Sequence, residues 1–356
     1  MNHINPKMKT ITFQKNEVIK RLYELDSVSN YRLHSIAQRI RKKTLSKLFK
    51  NLPVIDETIG SNIEMFNKIM GTKINSIVDF LNFNFSNYFK DKDTINKKLV
   101  PSKKKSLTNI ANDIIYLSNS NKLNYFSLVI HGSQADGHTT QYSDIDVSIF
   151  IKGHHINSYE KLNDLYFQID AINKKIAYHD PIGHHSAFLN LSSDLECYPQ
   201  SFMPITVLDE GDLPENHEII FLNTRKDLDL LIENFFNILD IIIKLINQKF
   251  YTQPTSLKQL LSSYFMLIIL EYEIIHDKYL DKKNIFQNEL IKYTKSEELE
   301  IFNQASYIRK EWPDLSYNFI GISENFITRI LKHSKKMCEN IQNDTVLNKL
   351  ASFYLK

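Results

Sequence analysis

Residues Val129–Ile151 read VIHGSQADGHTTQYSDIDVSIFI. This segment opens on the end of a short run rich in β-branched and aromatic residues, Tyr125–His131 (YFSLVIH), which stops at Gly132. It closes on Ser143–Ile151 (SDIDVSIFI), where polar and apolar residues alternate. Both runs predict strands. Within the second, Asp144 and Asp146 stand two positions apart, so both carboxylates leave one face while Ile145, Val147 and Ile149 face the core. Adjacent anions on a partly buried face repel unless a cation or basic side chain compensates them, and hard oxygen ligands of this kind suit Mg²⁺. Gly132 and Ser133 follow the first strand directly. A glycine there permits close backbone approach, and the amides with the Ser133 hydroxyl can cradle a triphosphate.

Outward from this segment the periodicity changes. From Asn16 to about Phe89 apolar residues recur at helical spacing, as in Val18, Leu22, Leu25 and Ile36, Ile40, Leu45, Leu48, with Pro53 breaking the pattern. Lys90–Lys105 is polar and charged, contains Pro101 and reads as a connector. After the paired strands, Asn157–Ala177 is helical in pattern, His179–Gly183 a loop, His185–Leu191 a strand, and Ile205–Leu208 a further apolar run. From Leu228 the pattern is helical almost to the end, as in LLIENFFNILDIIIKLI and, after Pro254, SLKQLLSSYFMLIILEYEII, which predicts a helical bundle. The expected division is a basic helical N-terminal region with connector over 1–105, an α/β catalytic domain over 106–215 and a helical domain over 216–356.

A strand, Gly132-Ser133, ten intervening residues and then Asp144-Ile145-Asp146 in a second strand resembles the signature of the nucleotidyltransferase fold of the DNA polymerase beta superfamily. The resemblance covers residues 120 to 210, and with the helical C-terminal region the chain looks like the kanamycin-type and minimal bacterial nucleotidyltransferases. It implies an α+β fold: a mixed sheet flanked by helices, with a helical N-terminal region and a C-terminal helical bundle. It also implies that Gly132 and Ser133 hold nucleotide phosphates and that Asp144 and Asp146 bind Mg²⁺, with Mn²⁺ as the alternative ion. The family usually adds a third carboxylate from a neighbouring strand, and here the sequence departs from it. The strand HHSAFLNL contains no acid and is flanked by Asp180 on one side and Asp194 and Glu196 on the other. Asp180 can supply the third carboxylate or act as general base, and His185 can take the ligand position instead, because imidazole binds Mn²⁺ and other transition metals. His184 and His185 are adjacent, so in a regular strand only one of them faces a given site.

Composition bounds the remaining choices. The 356 residues carry 42% hydrophobic and 24% charged residues, ordinary globular usage that excludes a mainly disordered or fibrous chain. Net charge is +3, but residues 1 to 110 hold 21 basic against 9 acidic side chains, leaving −9 on the rest. A basic field attracts nucleic acid, whereas a solvated helix face gives the same count. Arg39, Arg41, Lys42 and Lys43 form the densest basic cluster, which a helix spreads over more than one face as solvated surface. Cys197 and Cys338 stand 141 positions apart with no CxxC, so neither a disulfide scaffold nor a cysteine zinc site is expected. The N-terminus lacks the apolar run of a signal peptide, and the stretch Leu260–Leu270 meets Glu271 before the ~20 residues of a membrane span. These features predict a soluble, cytoplasmic protein without a membrane partner.

The expected activity is Mg²⁺-dependent transfer of a nucleoside monophosphate from an NTP, with ATP the first choice, to a hydroxyl acceptor with release of pyrophosphate. An RNA 3′ end approached through the basic N-terminal region is the alternative acceptor. A nucleotide-sensing or antitoxin-like component that binds NTP without turnover is the reading outside enzymology. Helical C-terminal regions of similar proteins often pair subunits, so an oligomer is compatible with this reading. His131, ending a strand, is expected to pack; Asp136 and His138 lie in the loop beside the turn, and Trp312 is expected to serve the core.

Overall fold

A computed structural model describes residues 30–51, 57–84, 86, 93–101, 109–119, 124–136, 143–179, 186–201, 203–225, 228–276, 279, 296–310 and 323–342. The chain divides into a compact unit over Asn30–Asp227 and a second that holds Leu228 onward.

The first unit is α+β. Helices α1 (Asn30–Asn51), α2 (Glu57–Met70) and α3 (Ile77–Asn82) precede strand β1 (Asp93–Leu99), helix α4 (Asn109–Asn119) and strand β2 (Phe126–His131). A four-residue helix, α5 (Ser133–Asp136), leads toward β3 (Asp146–Ile151), followed by α6 (Tyr159–His179), β4 (Phe188–Leu191), β5 (Tyr198–Pro199), the short helix α7 (Ile205–Asp209) and β6 (Ile219–Arg225). One sheet has the order β2-β3-β4, with β2 antiparallel and β4 parallel to β3; the other has the order β1-β6-β5. The parallel β3–β4 step requires a crossover, and α6 supplies it.

Strand alternation sorts the core into two layers. Leu128, Ile130, Val147, Ile149, Ile151 and Leu191 face the helices, packing with Ile40, Leu45 and Leu48 of α1, Phe66 of α2, Phe80 of α3, Ile114 of α4 and Leu162, Leu165, Ile169 and Ile172 of α6. The opposite face offers Val129 and Phe150, which pack with Leu99, Tyr198, Leu208, Ile219 and Phe221 around the second sheet. On α6 the buried positions recur at three- and four-residue intervals, the stripe that its sequence predicts. Buried His217 fastens β2 from the side: the Leu128 N–H donates to its Nδ1 at 3.0 Å, and its Nε2 lies 3.3 Å from the Ser118 hydroxyl. Burial pushes its pKa down to about 4.

Three expectations need correction. The connector expected over 90–105 contains β1, which pairs with β6 through Lys97↔Phe221, Lys98↔Ile220 and Leu99↔Ile219. It is a polar edge strand with a bulge between Thr94 and Lys97, and its lysines bridge Asp209 and Glu218, so local hydrophobicity could not reveal it. Arg41 is not solvated surface: it is 1% exposed and lies 3.1 Å from Asp194. The Arg41 guanidinium also donates to the Phe83 carbonyl and the Ser193 hydroxyl, while Arg225 beside it donates to Gln38. Burial lowers the Arg41 pKa against the opposing pull of Asp194. Within residues 16–89 the helical reading is met by α1 to α3, while Asn16–Ser29 and residues 52–56, 85 and 87–89 lie outside the described residues, as do His138 and Trp312. The run at Ile205–Leu208 is the helix α7. The strand from Ser143 is shorter than expected: β3 starts at Asp146, and Asp144 lies just before it.

The second unit is helical, as the sequence predicts. It comprises α8 (Leu228–Asn247), α9 (Pro254–His276), α10 (Ser296–Lys310) and α11 (Glu324–Gln342). Ion pairs Arg329–Glu300, Lys332–Glu297 and Lys336–Glu298 link α11 to α10. Asn340 donates to Glu271 at 2.6 Å, and the Tyr264 hydroxyl lies 2.7 Å from His333 Nδ1. Burial raises Glu271 to about 7 and lowers His333 to about 4. No described helix is long and apolar enough to cross a membrane.

Candidate active site

The β2–β3 hairpin places the turn after β2 beside the start of β3, because the antiparallel ladder ends on the pair His131↔Asp146. Gly132 follows with φ +70°, a left-handed conformation that a glycine adopts without steric cost. A Cβ on Gly132 would overlap the Asp146 carboxylate at Oδ2. The glycine is therefore required twice, by its backbone conformation and by the carboxylate beside it. The chain then enters α5 with Ser133, and the Ala135 N–H returns to the Gly132 carbonyl at 3.0 Å. The buried Gln134 side chain donates to the Ser143 carbonyl at 3.3 Å, tying the turn to the residue before Asp144.

Asp144 and Asp146 are both partly exposed, with buried Ile145 between them. Only Asp146 is inside β3, and the intermediate, buried, intermediate burial of residues 144–146 is the alternation that a two-residue spacing requires. Gly132 and Asp146 meet at the end of the β2–β3 ladder, with Ser133 one residue after the turn glycine and Asp144 two residues before β3.

On the far side of β3, the parallel register with β4 begins at Ser148↔Phe188 and Ile149↔Leu189, and Ser186 stands two residues before its first pair. Ser186 is exposed and Ala187 buried, as the alternation requires. The β4 residues on the face of Asp146 are Phe188 and Asn190, a ring and an amide. Asp180 and His185, the residues expected to complete the set, lie outside the described residues. Asp194 is engaged with Arg41, and Glu196 accepts from Asn84 and Ser86.

The donor set present fits a small divalent cation. Mg²⁺ is commonly held by one or two carboxylates, with substrate phosphates and water completing its shell. Two partly exposed carboxylates, one of them against the Gly132 turn, satisfy that description. Among the described residues no group of three or more His, Cys, Asp or Glu side chains is arranged to hold a metal by itself.

Residues 118–197 match the family model described as nucleotidyltransferase domain. The matched span runs from the end of α4 through β4 and contains the whole β2-β3-β4 sheet with its crossover helix. Neither a curated protein nor a solved structure matches the chain.

Proposed function

We propose that this chain, a member of the nucleotidyltransferase superfamily, transfers a nucleoside monophosphate from an NTP to a hydroxyl acceptor and releases pyrophosphate. The observation that carries the reading is the seating of the Gly132 turn directly against the Asp146 carboxylate. A phosphate-binding turn and an acidic pair are useful to each other only at this range, where one polyphosphate can touch both.

In this reading Asp144 and Asp146 hold Mg²⁺ or Mn²⁺ together with the nucleotide. When bound, the ion would supply neutralisation of phosphate charge, a lower pKa for the acceptor hydroxyl and stabilisation of the departing pyrophosphate. The Ser133 hydroxyl and the neighbouring amides orient the β and γ phosphates, which aligns the scissile bond with the incoming oxygen. A bond forms between the acceptor oxygen and the α phosphorus, and the bond from that phosphorus to the bridging oxygen of the β phosphate breaks. The hydroxyl proton leaves to a base, for which Asp180 is the candidate from the sequence. Ile145, buried in the helix-facing core between the two carboxylates, anchors the segment that carries them.

ATP is the preferred donor in this proposal. The acceptor favoured is a small molecule or protein hydroxyl over an RNA end, because the N-terminal basic excess is partly consumed internally: Arg41 is buried against Asp194, and Lys97 and Lys98 pair with Asp209 and Glu218. Incubation with each α-labelled NTP and a divalent ion, against the protein itself, tRNA and pooled hydroxyl compounds, tests this directly. Labelled product with pyrophosphate release in the wild type, lost in Asp146→Asn and on chelation by EDTA, is the expected result. RNA labelling that falls steeply with added salt would favour the tailing alternative. A second reading, NTP binding without turnover, is favoured by β4 (Phe188–Leu191), which carries no acid to serve as a third carboxylate. Nucleotide binding without any pyrophosphate in the same assay would select it.

A further inference from the structure

Asp146 shares its face of the sheet with His131, its direct cross-strand partner, and with Ser148 two residues further along β3. The His131 ring is 2% exposed, and its position is set from two sides. Its Nε2 lies 2.9 Å from the fully buried Ser148 hydroxyl, and its plane stacks on Phe188 of β4 at 6.0 Å between centroids and 29° between planes. Gly132 approaches the Asp146 carboxylate from the adjoining turn.

We infer that His131 is a positioning residue: locked by Ser148 and Phe188, its ring forms a wall against which the Asp146 carboxylate is held for metal–nucleotide binding. The chain thereby extends the site inward by a His131–Ser148 pair that touches neither nucleotide nor acceptor. This inference rests on the reading of Asp144 and Asp146 as the ion-binding pair. Side chains that orient metal ligands typically alter metal affinity when removed, even without contacting the ion.

Titration of Mn²⁺ onto the full chain with a non-hydrolysable ATP analogue, followed by its paramagnetic resonance signal, tests the inference without relying on turnover. Wild type should bind and Asp146→Asn should not. His131→Phe, which keeps a ring for Phe188 but loses the bond to Ser148, should weaken Mn²⁺ binding by about tenfold. Ser148→Ala should weaken it comparably, and the double variant should be no worse than the more severe single one, because both act through one ring orientation. His131→Gln, whose amide nitrogen and oxygen reach about as far as Nε2, should recover most of the affinity. A merely structural role would lower the melting temperature of these variants and leave Mn²⁺ affinity unmoved. Should His131→Phe not fold, Ser148→Ala decides on the same criterion. Wild-type affinity in both His131→Phe and Ser148→Ala, with Asp146→Asn deficient, overturns this inference alone. Failure of the wild type to bind, or equal binding by Asp146→Asn, overturns the reading of the site itself.

Discussion

Replacing Gly132 by alanine separates backbone strain from damage to the site. Gly132 has φ +70°, and Gly71, at the end of α2, has φ +65°. An L-residue held in the left-handed region costs ~1–2 kcal/mol, so both substitutions should destabilise the first unit by a similar amount. For a unit of this size each kcal/mol moves the melting temperature by about 2–4 °C, giving a loss of roughly 2–8 °C in either variant. The surroundings differ. A Cβ on Gly71 meets nothing within 4 Å, whereas one on Gly132 overlaps the Asp146 carboxylate. Gly132→Ala must push that carboxylate aside, and displacement of a reacting or ligating group by about 1 Å costs on the order of 10²-fold in rate. Thermal melts and the α-labelled NTP assay on both variants give the comparison. The expected pattern is equal destabilisation with activity lost only in Gly132→Ala. If Gly132→Ala melts like Gly71→Ala and keeps wild-type turnover, the contact between turn and carboxylate has no functional meaning.

Other consequences follow from the buried polar groups. Asp194→Ala leaves the Arg41 guanidinium buried without its carboxylate, and breaking such a pair typically costs ~3–5 kcal/mol, readable as a large drop in urea midpoint; a loss comparable to that of an exposed pair such as Lys98–Glu218 would contradict the burial. His217 stays neutral in the folded unit, with its pKa near 4 against 6.5 unfolded, so its contribution is complete above 6.5 and is lost as pH falls toward 4. His217→Gln should flatten that acid limb in melts taken between pH 7 and pH 4; an unchanged slope would count against a buried neutral ring. Glu271 shifts the other way, to about 7, so its effect on the helical unit is stability lost as pH rises from its ordinary carboxylate value toward 7. Glu271→Gln should remove that dependence, and melting temperatures that still fall over the same interval would refute it.

The segment from Tyr125 to Ile151 was legible because its information is short-range. Alternation, a glycine at a strand end and the spacing of two aspartates identify two strands, their inward faces and a candidate acidic pair, and each signal lies within a few residues of what it determines. The helical stripes of α6, α8 and α9 were legible for the same reason. Tertiary structure alone decided the rest. DTINKKL becomes a strand only because β6, more than a hundred residues later, offers an edge, and Arg41 is buried only because Asp194 arrives beside it from the turn after β4. The pairing of Phe188 with Ser148, which brings that ring to His131, depends on a parallel register that no local pattern encodes. The overlap between a Gly132 side chain and the Asp146 carboxylate likewise depends on how the hairpin closes. Periodicity along a chain specifies which way a side chain points, whereas its neighbours are specified by pairing between segments distant in sequence.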